Sequence, residues 1–451
     1  MSPGLTTSAS SQVRRRSAAI LAVALLLVEL VAACQSYLTS TITPLMASDL
    51  DAKDGYGVLM AATQAAMFLT MPLGAGLLSR WPAARMLAWL TPVVVLGGVV
   101  SALAPTFTVF LAGRVLASLA AGALMTVSLS ALATALPPHW RRMTLAGYAL
   151  VWLVASLVGP VYAGWASAVI GWRWALVVYL PLFLVARAVV IVRLRELDQA
   201  EQTSPQRLAL APATVLAAGI TLVSLAGSSW GRNLLAVAGA VAVLAAAARI
   251  LPTGTQGRRA LVLIIGVLSG AYFGAHAIVA ITAHDLLGRD AGSLAVLLGA
   301  GGVGWAVLGM ICGRWPARSR RAYVRRVTGG ALLLAVGAAT MGTATLPGFP
   351  GAWPLLVLGW TVSGVGMGLC YVDTLNRGLD TPQVPDGIDT HQAAQALVMS
   401  EVIATALAGT LTASALAWIM GAPADRAGYA MVVYGILALL SLTLVPLSRR
   451  G

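Results

Sequence analysis

Long apolar runs recur along this chain, and each is close to the length that a helix needs to cross a bilayer. A hydrocarbon core of about 30 Å takes roughly 20 residues of helix, and a helix satisfies all its backbone donors and acceptors within one segment. Spans are expected near 17–46, 56–79, 84–105, 107–136, 143–170, 172–193, 207–226, 231–251, 258–285, 291–313, 325–346, 353–377, 391–419 and 427–448. A transmembrane β-barrel is excluded, because its strands alternate polar and apolar residues. Composition agrees: 59% of the 451 residues are hydrophobic and 10% are charged, against roughly a quarter charged in a soluble domain. The expected fold class is all-α integral membrane with 14 spans.

The net charge of +14 would suggest nucleic acid in a soluble protein. The basic residues sit instead in short clusters between apolar runs, as when arginines hold loops on the cytoplasmic side. With an even number of spans both termini share one side. Of the 29 basic residues, 23 fall on that side, Arg14, Arg15, Arg16, Arg80, Arg85, Arg187, Arg193 and Arg314 among them. Five fall opposite (Lys53, Arg173, Arg232, Arg289 and Arg426), and Arg114 lies inside a span. The expectation is a multi-pass protein of the cytoplasmic membrane with both termini cytoplasmic, surrounded by membrane lipids and without a nucleic-acid partner. Cys34, Cys312 and Cys370 lie in or beside apolar runs and say nothing about redox compartment. Arg14-Arg15-Arg16 followed by a run ending Val31-Ala32-Ala33-Cys34 has the form of a cleavable lipoprotein signal. Glu29 inside that run, and apolar character continuing to Met46, favour an uncleaved first span.

Arg80-Trp81-Pro82-Ala83 after the second span recurs as Arg314-Trp315-Pro316-Ala317 after the tenth. Both copies follow a Gly-rich helix end and open a basic loop, which marks an internal repeat. Matching the tenth span to the second divides the chain into an N-terminal tail (1–16), a six-helix bundle (17–200), a two-helix insertion (201–257) and a second six-helix bundle with a short tail (258–451). Parallel six-helix repeats that rock about a central site are the architecture of major facilitator transporters.

Four local matches make the sequence resemble the major facilitator superfamily, and within it the fourteen-helix drug:proton antiporters, over essentially the whole chain. Gly74-Ala75-Gly76-Leu77-Leu78-Ser79-Arg80, continuing to Arg85, is similar to the loop between helices 2 and 3, departing at Ser79 where an acidic residue is usual. Simple anchoring of that loop and a conformational role both stay open for Arg80, Arg85 and the matching Arg314. Arg114 resembles the helix 4 arginine that the family uses in proton transfer, although Ala117 and Ser118 depart from the residues common after it. A snorkelling role for Arg114 is equally open. Gly159-Pro160-Val161-Tyr162-Ala163-Gly164 is similar to the motif of antiporters, with Ala163 for one glycine. Proline breaks the backbone ladder and small residues allow close helix approach, either for a conformational bend or for ordinary packing. Gly171-Trp172-Arg173-Trp174, with Pro181 beyond, resembles the start of the sixth helix. In the first helix, Gln35 stands nine positions before Pro44, where the family carries an acidic residue.

Few ionisable groups interrupt the apolar runs: Glu29, Arg114, His276, Asp373 and Glu401. An intramembrane ionisable group is a functional-site hypothesis by default. Glu401 lies about ten residues into its span, or about 15 Å, near the bilayer centre, and Glu29 has comparable depth. Each is a candidate to take and release a proton as access alternates, or else a neutral hydrogen-bonded carboxyl. His276 is a lesser candidate for proton or substrate contact, and Asp373 is expected to pair with Arg377 four residues on. Gln35, Tyr37, Trp152, Tyr272 and Trp305 are the candidates for an aromatic substrate cavity, with interface anchoring as the alternative for the aromatics. The expected activity is proton-coupled export of a small apolar or cationic compound by a monomer that holds neither cofactor nor metal. A dedicated metabolite exporter or importer of the same fold is the second reading. A polytopic enzyme is disfavoured, because His139 and His284-Asp285 are isolated and no catalytic motif is present.

Overall fold

The computed structural model of the chain describes residues 4–78, 80–197, 210–225, 230–252, 254, 256–379, 390–421 and 426–450. The first half comprises α1 (Gly4–Asp49), α2 (Tyr56–Leu78), α3 (Ala83–Ala102), α4 (Phe107–Ala135), α5 (Pro138–Val169), α6 (Gly171–Ala175) and α7 (Leu180–Leu197). A hairpin of α8 (Leu210–Val223) and α9 (Trp230–Ile250) follows. The second half holds α10 (Gly257–Ile281), α11 (Ala291–Arg314), α12 (Arg320–Ala344), α13 (Ala352–Leu379), α14 (Thr390–Gly421), α15 (Arg426–Leu442) and α16 (Leu444–Ser448). No strand occurs among the described residues.

Helix ends follow local chemistry. The Thr106 hydroxyl accepts from Val109 N–H at 3.4 Å, Asp290 Oδ1 from Ser293 N–H at 2.9 Å and Ser319 Oγ from Ala322 N–H at 3.2 Å, each satisfying an orphan donor of a first turn. Pro138 occupies the first turn of α5, where its missing N–H costs nothing. Along the helices, large apolar side chains are found both buried (Leu21, Ile264, Leu416) and exposed (Leu96, Val161, Leu439). That is the arrangement of helices solvated by lipid on their outer faces.

Among the described residues twelve helices are long and apolar enough to cross a membrane. The two remaining expected spans coincide with α2, of 23 residues, and α8, of 14 residues or about 21 Å. Three features differ from the sequence reading. α1 is helical from Gly4, so the expected tail continues the first helix. The sixth span is broken between Ala175 and Leu180 and then runs to Leu197, so Arg187 is a buried intrahelical residue and not a loop cation. The boundary expected at residue 200, with Arg207, lies outside the described residues.

The halves pack in the same order. In the first, α1 meets α5 and α7, and α4 lies between α2 and α3. In the second, α10 meets α14 and α15, and α13 lies between α11 and α12. Across the halves α5 meets α11 and α2 meets α14, each the fifth helix of one half against the second of the other. α8 packs on α2 and α9, with lesser contact to α14.

Candidate functional site

Tyr272 and His276 are four residues apart on α10 and so share a face, which points toward α11 and α13. The Tyr272 ring stacks on Trp360 with centroids 4.8 Å apart and planes 17° from parallel. Trp305 of α11 meets Tyr272 edge-on at 5.5 Å and Phe273 at 5.9 Å. Trp360 enters a notch at Gly301, where an added Cβ would lie 2.2 Å from its indole nitrogen. That nitrogen is buried and donates no hydrogen bond among the described residues.

This ring cluster leads to an acid. Trp305 packs edge-on against Tyr371 at 5.6 Å, and the Tyr371 hydroxyl donates to Glu401 Oε2 at 2.8 Å. At its other end His276 lies 5.6 Å from Trp360 and 6.5 Å from Tyr37 of α1, so the cluster reaches into the first half. Aromatic pairs in these geometries contribute about 0.5–1.5 kcal/mol each beyond area burial. Of the expected residues, Tyr37, Tyr272, His276 and Trp305 are thus brought together with Glu401. Trp360 and Tyr371 were not singled out in the sequence.

Glu29 lies elsewhere, inside the first half. Trp152 hydrogen-bonds to its carboxyl, and Arg187 is close enough to act on it electrostatically. Arg187 Nη1 donates to Ser128 Oγ at 3.2 Å, and its guanidinium lies 5.3 Å from the Phe183 ring. Trp152, expected on the aromatic cavity, therefore belongs to the Glu29 group. Gln35 has a buried Oε1 that accepts no hydrogen bond among the described residues. Arg114 is partly buried and lies near Tyr179 in the turn between α6 and α7.

The glycines at 159 and 164 sit where helices touch. A Cβ at Gly159 would lie 2.8 Å from the Tyr37 ring, and one at Gly164 would lie 2.6 Å from Ala295 Cβ on α11. Pro160 faces Gly299 of α11 at 3.5 Å by the same measure. Pro160 and Gly164 therefore lie at the contact between halves, while Gly159 packs on α1 of its own half. Gly74 is buried in α2, Arg80, Arg85 and Arg314 are exposed, and Ser79 lies outside the described residues. Asp373 does not pair with Arg377 as expected. Its Oδ2 is 2.7 Å from Arg326 Nη1 and its Oδ1 accepts from Ala317 N–H at 3.1 Å, while Arg377 lies over Tyr323 at 4.7 Å. The i,i+4 rule failed because the α11–α12 loop offers Asp373 a backbone donor and α12 a fixed guanidinium. Among the described residues no group of three or more His, Cys, Asp or Glu is placed to hold a metal ion.

Residues 25–378 match one family model, described as the Major Facilitator Superfamily. Among curated proteins the chain is similar to the lincomycin resistance protein LmrB of Bacillus subtilis (strain 168), 27% identical over 28% of this chain and 26% of that protein. It is similar to the multidrug efflux pump SdrM of Staphylococcus aureus (strain N315), 26% identical over 39% of this chain and 40% of that protein. A triacylglyceride transporter of Mycolicibacterium hassiacum is 29% identical over 54% of this chain and 48% of that protein. The chain thus spans between about a quarter and a half of the length of the curated relatives it matches. Among solved structures, a peptide transporter POT in complex with sulfate aligns with TM-score 0.67 at 14% identity, over 97% of this chain and 99% of that one. The human organic anion transporter MFSD10 aligns with TM-score 0.58 at 16% identity, over 96% and 99%. Identities this low carry the fold alone.

Proposed function

The chain belongs to the Major Facilitator Superfamily, and from that premise we propose that it exports a small apolar or cationic compound across the cytoplasmic membrane in exchange for protons. It is a multi-pass membrane transporter and not an enzyme. The observation that carries the coupling is the Tyr371 to Glu401 hydrogen bond of 2.8 Å at the end of the ring cluster. Glu401 lies about 16 Å along α14 from Thr390, inside the apolar part of that helix. Its described donor is a neutral phenol, so a proton can arrive or leave without stranding a buried cation. The adjoining rings offer faces to an apolar or cationic solute. One proton moving down about 150 mV contributes about 3.5 kcal/mol, enough for roughly a 300-fold gradient of a neutral solute. The names of LmrB and SdrM, a lincomycin resistance protein and a multidrug efflux pump, favour a drug, an antibiotic or a secondary metabolite as cargo.

The architecture proposed with it is two six-helix bundles, 17–200 and 258–451, joined by a two-helix insertion at 201–257, with all fourteen segments in the membrane and both termini cytoplasmic. The repeated packing order supports the division. α2 and α8 contain no charged side chain, which suits membrane insertion. The protein is proposed to work as a monomer.

The test is substrate-driven proton movement in vesicles. Glu401→Gln is expected to abolish exchange, and Glu29→Gln to be compared separately, since Glu29 sits beside Arg187 and away from the rings. If both variants still collapse a pH gradient when substrate is added, the coupling assignment is wrong.

A further inference from the structure

At the end of the molecule opposite the termini, a buried carboxylate joins the two halves. Asp285 lies in the π-helical turn Thr282–Leu286 that closes α10, and its side chain is 1% exposed. Its Oδ2 accepts from the Tyr56 hydroxyl at 2.7 Å. Its Oδ1 lies 2.9 Å from His284 Nδ1 and 3.4 Å from Lys53 Nζ. Tyr56 begins α2 and Lys53 precedes it, so two of the three partners come from the other half. π-helical turns concentrate at functional positions because the extra residue re-aims the side chains that follow. The equivalent end of the first half is used differently. There Asp49, which ends α1, is held by Arg173 at 3.0 Å and by Trp172 Nε1 at 3.3 Å, both from its own half.

The two seams are tight at this same end. An added Cβ at Gly57 would lie 2.2 Å from Ser414 Oγ across the α2–α14 seam, and one at Gly164 would lie 2.6 Å from Ala295 Cβ across the α5–α11 seam. The halves are therefore closed together where Asp285 sits.

We propose that Asp285, with Tyr56 as its principal donor from the other half, is the latch of the outer gate, holding the two halves closed on the side opposite the termini and releasing once in each transport cycle. The proposal rests on the transporter reading above, with the two halves rocking to open the site to each side in turn, but on neither the identity of the solute nor the role of Glu401. A carboxylate this buried needs donors to keep its charge. When the halves part, water takes the place of the Tyr56 hydroxyl and the Lys53 ammonium, so release exchanges one set of donors for another. That exchange lets a latch bias the closed state without locking it. The donors are unequal. The Lys53 side chain is 49% exposed and its pairing is screened by water, whereas Tyr56 is buried. A simple surface ion pair would depend on Lys53; this latch depends on Tyr56.

The experiment uses the full chain in liposomes with Cys34, Cys312 and Cys370 replaced by Ala and Ser414→Cys as reporter, a near-isosteric change at a residue buried in the α2–α14 seam. The rate of maleimide labelling reports opening. Tyr56→Phe and Asp285→Asn are each expected to raise it about ten-fold, the worth of one hydrogen bond to a charged group, and Lys53→Ala by less than about three-fold. Tyr56→Phe keeps the ring and removes one oxygen, so it tests the latch with the fold intact. Unchanged labelling in Tyr56→Phe overturns the proposal, as does an equal rise in Asp49→Asn, which touches only the first half. Labelling that responds as stated while Glu401→Gln still exchanges protons sinks the coupling assignment and leaves the latch standing.

Discussion

Glu401 and Asp373 are both acids within the second half, and their partners differ. Among the described residues Glu401 accepts from a phenol; Asp373 takes a guanidinium and a backbone N–H, and is 2% exposed. Neutralising Asp373 leaves Arg326 without its anion and loosens the loop Trp315-Pro316-Ala317, whose Trp315 carbonyl Arg326 also holds. Asp373→Asn is therefore expected to cost about 2 kcal/mol, seen as a lower melting temperature of the purified protein, whereas Glu401→Gln should leave melting nearly unchanged. Equal losses would remove the distinction. An acid, a histidine or an arginine inside an apolar run was legible from sequence because it stands out against lipid-facing neighbours. Trp360 and Tyr371 were not, because aromatic residues in spans serve equally as anchors, and only the packing of α13 against α10, α11 and α14 singles out these two. Arg187 counted in sequence with the cytoplasmic-side cations although the expected sixth span, 172–193, contains it; only the packing beside Ser128 and Phe183 marks it as buried.

Helix positions were largely legible, because an apolar run of bilayer length has few alternatives. Breaks inside a run were not: the turn between α6 and α7, Leu176-Val177-Val178-Tyr179, carries no charged residue to mark it. The resemblance of residues 159–164 to the antiporter motif has a physical counterpart in α5, which uses one face for α1 and another for α11. The Gly164 Cβ position already sits 2.6 Å from Ala295 Cβ and 3.3 Å from the Ala291 carbonyl. A branched side chain there must push α5 from α11, since neither obstacle is the flexible end of a long side chain. Gly164→Val is expected to cut transport to below about a tenth while the protein still inserts and elutes as a single species, a loss of about 1.4 kcal/mol or more in transport competence. Near-normal transport by Gly164→Val would reduce the motif to ordinary packing.

At the scale of the molecule the recurring tetrapeptide pointed to two halves, but nothing in the sequence says which helices meet across them. That depends on contacts between residues hundreds of positions apart, of the kind made by Gly57 with Ser414. If the halves move as bodies, a covalent bond within one half is harmless and a bond between halves is not. An added Cβ at Gly270 would lie 3.8 Å from Ala404 Cβ, both in the second half, close to the spacing of a disulfide. Across the α2–α14 seam an added Cβ at Gly57 lies 2.9 Å from Ser414 Cβ, so a disulfide there needs about 1 Å of widening. With the native cysteines replaced, oxidised Gly270→Cys/Ala404→Cys is expected to keep most of its transport. Oxidised Gly57→Cys/Ser414→Cys is expected to stop, and to recover when reduced. Both bonds immobilise two helices, so the contrast isolates motion between halves from general loss of flexibility. Transport through an oxidised α2–α14 bond would mean that this seam never opens, and that the cycle proceeds by bending within the halves instead of rocking between them.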